Sequence, residues 1–254
     1  MHSVASAPRA APDWLVDEPY EDHPRGTLKS GKEAEVFLVE RRFTSRTVLL
    51  AHKRYRPRYP GRGELHALGF SNSTVYRGDS VYKAGWFLPT RDKRAVMGGT
   101  AFGHKLAARL WPIQEWTMLE RACASGASVP YPVERTDDGL LMEFIGDERQ
   151  AAQKLAQARL SKGEVESAWE QLLASIRSLT AAGMVHADLS AYNLLWWQGR
   201  LVLIDLPQAV EFTTNSDAYD LLHRDVANVG TWFDRHGRPV DVEATYAELL
   251  ALAF

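Results

Sequence analysis

The sequence predicts an α+β fold in two lobes, a strand-rich first half followed by a mainly helical second half. Three observations predict it. Runs of β-branched and apolar residues flank turns between residues 34 and 143. Apolar residues recur at helical spacing from about residue 164 onward. A hairpin with polar residues at one edge lies within the second half, at 184–205. In domain terms, residues 1–25 read as a flexible arm, 26–146 as the first lobe and 147–254 as the second.

The arm, "MHSVASAPRAAPDWLVDEPYEDHPR", carries four prolines and an acidic patch, although Trp14, Leu15 and Tyr20 could dock on the body. "AEVFLV" (34–39) and "TVLLAHK" (47–53) flank a polar turn and read as an antiparallel pair. Pro112 opens a helical pattern with Trp116, Leu119 and Cys123 on one face and a stop at Gly126. "VPYPVERTDDGLLMEFIG" then gives two short strands around an Asp-Asp-Gly turn. Past the connection at 143–150, residues 164–182 place Leu172, Ile176 and Leu179 at helical spacing, and Gly183 ends that helix. "NLLWWQGRLVLID" is a hairpin with Gln198-Gly199 at its tip. Residues 216–235 set Leu222, Val226, Val229 and Phe233 on one face, and 241–252 form a last short helix. A ligand belongs in the cleft between the lobes. The sequence contains no internal repeat.

Composition narrows the class. In 254 residues, 45% hydrophobic and 24% charged, the net charge of −2 gives no overall pull toward nucleic acid or anionic membrane. The single cysteine, Cys123, excludes an intramolecular disulfide and a cysteine zinc cluster. No apolar run approaches the ~20 residues of a membrane span, and the first residues lack the order of a secretory signal. The expectation is a soluble cytoplasmic protein.

The candidate chemistry lies in "MVHADLSAYNLL" and "LVLIDLPQ". Asp188 precedes the hairpin, Asn193 begins it and Asp205 closes it, so the hairpin brings three polar side chains to one edge. Such oxygen ligands suit Mg²⁺, which takes one or two protein ligands and leaves the rest to phosphates and water. Asp188 is left to accept a proton from an attacking hydroxyl. Each residue alone could simply cap a turn; the spacing H-x-D-x-x-x-x-N before a strand ending in Asp argues for the set. Lys53 ends the second strand, where it can reach nucleotide phosphates if a carboxylate orients it. Glu115, on the clear helix of that lobe, is the natural partner. Against this, Lys53 also falls in a basic run, eight Lys and Arg between Arg41 and Arg62. "SGKEAEVF" (30–37) is neither a Walker A loop nor a three-glycine loop. It could cover phosphates through backbone N–H groups or be a plain β-turn.

With those blocks in view, "SGKEAEVF", "AHKRYRPR", "EWTML", "HADLSAYNLL" and "IDLPQAVE" resemble the RIO family of atypical serine kinases, in that family's order. The resemblance implies a bilobal protein-kinase-like fold with a small β-rich N-lobe and a short helical C-lobe. It implies ATP with Mg²⁺ or Mn²⁺ as cofactors. Ser30, Gly31, Lys32, Glu33 and Ala34 would form the phosphate-side loop, and Lys53 and Glu115 the ion pair. Met142 to Ile145, with Glu143 and Ile145 named for it, would be the hinge that meets adenine through its backbone. Asp188 would be the catalytic aspartate. Asn193 and Asp205 would hold the metal, and Asp205 would also be catalytic through transient phosphorylation. The family implies a protein substrate, the chain itself included, and a ribosome-related partner.

Departures from ordinary protein kinases are readable directly. Asp-Leu-Pro-Gln replaces Asp-Phe-Gly, Ala187 replaces the arginine that would bind a phosphorylated loop, and Ser190 sits where many kinases put a lysine beside the transferred phosphate. The short stretch after Asp205 carries no Ala-Pro-Glu segment, so little room is expected for a peptide platform. Segment 56–110, rich in Arg, Gly and aromatics, could be a flap over the nucleotide, a site of autophosphorylation at Ser71, Ser73 or Thr74, or an RNA-contacting surface. For RNA contact a solvated insertion is the favoured reading. Two other functions are carried: a small-molecule phosphotransferase of the aminoglycoside or choline type, and a nucleotide-binding scaffold with little turnover.

Overall fold

The computed structural model describes residues 10–31, 34–55 and 101–253, with side chains in the last stretch from residue 112 on. Strands β1 (Tyr20–Ser30), β2 (Ala34–Phe43), β3 (Thr47–Tyr55), β4 (Pro132–Arg135) and β5 (Gly139–Glu143) form one antiparallel sheet in the order β1-β2-β3-β5-β4. Helix α1 (Ala101–Ala124) packs on its β3–β5–β4 side. Beyond it come β6 (Gln153–Lys154), α2 (Lys162–Ala181), β7 (Met184–Val185), the hairpin β8 (Leu194–Trp197) and β9 (Arg200–Leu203), β10 (Val210–Glu211), α3 (Ala218–Arg235) and α4 (Val242–Leu250). The result is mixed α+β, sheet first and helices after.

The boundary expected at residue 25 falls inside β1. "YEDHPRGTLKS" has no apolar alternation, because this edge strand is exposed along nearly all its length and packs little. It is held by its pairing with β2, with irregularities at Pro24/Gly26 and Thr27/Lys29. Pro24 is tolerated because an edge strand has one unpaired side. Trp14 does dock, its ring edge-on to Tyr131 at 6.3 Å between centroids.

Helix α1 also differs from expectation: it starts at Ala101, and Pro112 lies inside it. The preceding "AFGHKLAARLW" is rich in strong helix formers, whose summed preference outweighs the hydrogen bond that a proline deletes. Helix α2 begins at a capping box: Ser161 Oγ accepts from the Glu164 N–H while the Glu164 carboxylate accepts from the Ser161 N–H. Gly183, at φ 76°, takes the left-handed turn after it. Gln198 (φ 48°) and Gly199 (φ 79°) make the two-residue hairpin tip that right-twisted strands favour.

One large core joins the buried faces of α1, α2 and α3. It includes Leu119 and Cys123, then Trp169, Leu172 and Ile176, then Val226, Val229 and Phe233. A second cluster, Val39, Leu50 and Leu141, lies on the outer face of the sheet. Alternation along β3 therefore decides the site. Leu50 faces this outer cluster, while Ala51, Lys53 and Tyr55 form the buried set on the opposite face, toward α1.

Candidate active site

In α1, Glu115 sits in the stripe completed by Met118, Leu119, Ala122 and Cys123, so its carboxylate is buried. A charge there requires a partner. Lys53 supplies it: its Nζ is 2.7 Å from Glu115 Oε1 and 2.6 Å from Asp205 Oδ1. Burial alone would lower the Lys53 pKa, but the two carboxylates outweigh it and hold the ammonium charged. The Lys53 charge is the main reason that Asp205 lies below its ordinary value, against the opposing effect of burial. For Glu115, burial pushes the carboxyl up and Lys53 pulls it back. Tyr55, two residues beyond Lys53 on the same face, donates its hydroxyl to Glu115 Oε2. Close packing of β5 against β3 at this point needs Gly139, where a Cβ would stand 1.9 Å from the Lys53 carbonyl oxygen.

The loop between β7 and β8 carries the second half of the site. Asp188 is exposed, and Asn193 Nδ2 donates to the Asp188 backbone carbonyl at 2.8 Å and to its Oδ2 at 3.0 Å. With its NH₂ used in this way, the Asn193 side-chain oxygen is the atom left for a cation. His186 Nε2 meets the Ile204 carbonyl at 3.1 Å, and the Asp188 N–H points to its Nδ1 at 3.3 Å. The consistent tautomer therefore has the proton on Nε2. This ring pins the loop holding Asp188 to the strand end holding Asp205. Ala187 (φ 64°) and Asp205 (φ 72°) are non-glycine residues in the left-handed region, a conformation that costs on the order of 1 kcal/mol or more each. Surrounding bonds hold Ala187 in that conformation.

The bonds around Ala187 come largely from Asp225. It sits in the apolar stripe of α3, buried, and its carboxylate accepts the backbone N–H of Ala187 at 2.7 Å and of Leu189 at 3.0 Å. Arg224 donates to the Ala187 carbonyl from the same turn. Burial raises the Asp225 pKa, and His186 and the two backbone donors oppose it. Sequence reasoning missed Asp225 and Tyr55. The signals were an aspartate interrupting the Leu222–Val226–Val229 face, and a tyrosine in phase with Lys53 on its strand.

The remaining predicted residues are placed as follows. Ser30 ends β1 and its Oγ donates to Glu35 Oε1 at 3.2 Å; the Gly31 N–H donates to the Ala34 carbonyl at 2.9 Å as the chain turns into β2. Lys32 and Glu33 lie outside the described residues, as do Ser71, Ser73 and Thr74. Glu143 uses its carboxylate within the protein, accepting from Arg200 Nη1 at 2.8 Å and the Tyr131 N–H at 3.0 Å, and its own N–H donates to the Tyr131 carbonyl at 2.8 Å. Ile145 is buried, and its carbonyl accepts from Ala152 at 2.9 Å.

Among the described residues, no group of three or more His, Cys, Asp or Glu could hold a metal ion. A site of Asn193 and Asp205 is instead an incomplete oxygen set, which fits a hard cation completed by phosphate and water. No described helix is long and apolar enough to cross a membrane.

Residues 77–246, two thirds of the chain, match the RIO domain. The chain is 38% identical over 138 residues to the RIO-type serine/threonine-protein kinase Rio1 of Haloferax volcanii, covering 54% of this chain and 47% of that protein. It is 32% identical over 164 residues to the serine/threonine-protein kinase rio1 of Schizosaccharomyces pombe, covering 61% and 33%. With the probable serine/threonine-protein kinase RIO1 homolog of Encephalitozoon cuniculi it shares 29% over 219 residues, covering 84% and 54%. The chain thus spans about half the length of these relatives, or less. The matched region holds Glu115, the catalytic-type loop, Asp205 and the supporting Asp225, and on that match the chain belongs to the RIO family.

Proposed function

We propose that this chain is an ATP-dependent serine/threonine kinase of the RIO type, able to act as an ATPase when water replaces the acceptor hydroxyl. The observation that carries this reading is the convergence of Lys53, Glu115 and Asp205 from three distant segments beside the Asp188–Asn193 loop. Phosphoryl transfer needs mainly positioning and charge stabilisation, and each group here has a part in that. Lys53, held charged by Glu115, exchanges its contact with Asp205 for nucleotide phosphate oxygens. Asp188, exposed at the loop, accepts the proton of the attacking hydroxyl. Asn193 and Asp205 would hold Mg²⁺ or Mn²⁺, which would supply positive charge to the phosphates. The turn between Ser30 and Ala34 is the element on the phosphate side of the site. Adenine lies against the backbone of Met142 to Ile145.

The acceptor is a protein hydroxyl, the chain's own included, in a cytoplasmic setting with a ribosome-related partner. The kinship to serine/threonine-protein kinases supports the protein-kinase reading over a small-molecule phosphotransferase. The test is incubation with Mg²⁺ and γ-labelled ATP, following both released phosphate and label on protein. Acid-stable label would mark Ser or Thr, and acid-labile label would mark Asp205. Nucleotide binding with neither release nor label would instead support a scaffold.

A further inference from the structure

Lys53 is not the only ammonium near Asp205. Lys154 stands on β6, whose pairing with β8 (Lys154 opposite Leu195) sets it against the strand that leaves the catalytic-type loop. Its Nζ lies 5.7 Å from the centre of the Tyr192 ring. Tyr192 is the loop residue just before Asn193 and is 61% exposed. The Ala156 N–H donates to the Ala191 carbonyl at 3.0 Å, so the segment after β6 is fastened to that same loop.

Burial is the largest cause that lowers the pKa of Lys154, while the Asp205 charge opposes it. A bound anion beside a half-buried ammonium offsets the cost of keeping it charged. The loop itself offers Ser190 where many kinases carry a lysine, so its own cation is missing at that place.

We propose that Lys154 binds the terminal phosphate of the nucleotide, supplying from β6 the cation that Ser190 does not supply from the loop. The Tyr192 ring holds the ammonium beside the loop through its π face. This rests on the nucleotide reading above.

Calorimetric titration of the full chain with Mg-ATP and Mg-ADP tests it, using the wild type and the Lys154→Gln and Lys154→Arg variants. Lys154→Gln should weaken Mg-ATP binding about tenfold, the scale of one charge-assisted phosphate contact, and Mg-ADP binding less than about twofold. Lys154→Arg should retain most ATP affinity, because it keeps the charge. An unchanged ATP-to-ADP affinity ratio in Lys154→Gln overturns the proposal while leaving the nucleotide reading intact. Equal loss for both nucleotides with a lowered melting temperature overturns it too, by showing a structural role. A wild-type chain that binds neither nucleotide overturns the nucleotide reading and this proposal together.

Discussion

On the outer face of the sheet, the buried apolar cluster is Val39, Leu50 and Leu141, and charged side chains do much of the joining. Arg41, 3% exposed, makes a two-point contact with Asp22 and a third bond to Glu134, with Tyr20 stacked 3.7 Å from its guanidinium. On the opposite face of β2, Arg25 and Arg42 share Glu40. The helical lobe is built the other way, around a continuous apolar core in which Trp169 meets Phe233 edge-on at 5.1 Å. The contrast carries into the site. Lys53 is positioned by opposite charges on side chains, whereas Asp188 is positioned by backbone N–H groups tied to a carboxylate set in packed helix. On the function proposed above, the side-chain ion pairs are the ones that exchange partners when a nucleotide binds, and the loop bonded through its backbone is the one that keeps Asp188 in place.

Breaking the packed half should have the largest effect. Asp225→Ala leaves two buried N–H groups without their acceptor, which should cost about 3 kcal/mol of stability. It should also lower turnover at least tenfold, with a smaller change in ATP affinity. Chemical denaturation and steady-state kinetics on one preparation check both, and unchanged turnover would show that Asp188 is aimed by something else. In the charge-built half, Tyr55→Phe removes one hydrogen bond to Glu115 while Lys53 remains. A loss of about 1 kcal/mol and a turnover change under about threefold are expected. A drop as large as that of Asp225→Ala would erase the contrast between the halves.

The smallest effect concerns pH. His52, on the outer side of β3, lies below its ordinary value because of burial, with Asp138 opposing and Arg54 adding to the shift. The unfolded chain therefore takes up this proton at higher pH than the folded one. Stability should fall as pH drops through about 6.5 and stop falling below the folded value. His52→Gln can keep a hydrogen bond to Thr136 but does not titrate, so its plot of melting temperature against pH should be flatter between about pH 7 and 5. An identical slope would remove His52 from the acid response.

Much of this site is readable from sequence because its spacing is local. A hairpin fixes Asn193 relative to Asp205 whatever surrounds it, and a period of two fixes which face Lys53 takes. Glu115 is 62 residues from Lys53, yet a helix with one buried face leaves few acids that could serve. What was not legible depends on non-local packing. Edge strand β1 pairs through its backbone and shows no apolar pattern. Asp225 gains meaning only once α3 lies under residues 187–189. Lys154 belongs to a two-residue strand whose pairing with β8 no periodicity announces.

The most direct test of the central claim, that these two halves form one phosphoryl-transfer site with Asp188 as the proton acceptor, is the Asp188→Asn variant in the γ-labelled ATP assay, with its Mg-ATP affinity measured alongside. The account predicts ATP affinity within about threefold of wild type and a loss of at least about 100-fold in phosphate release and protein labelling. Turnover equal to wild type would contradict it.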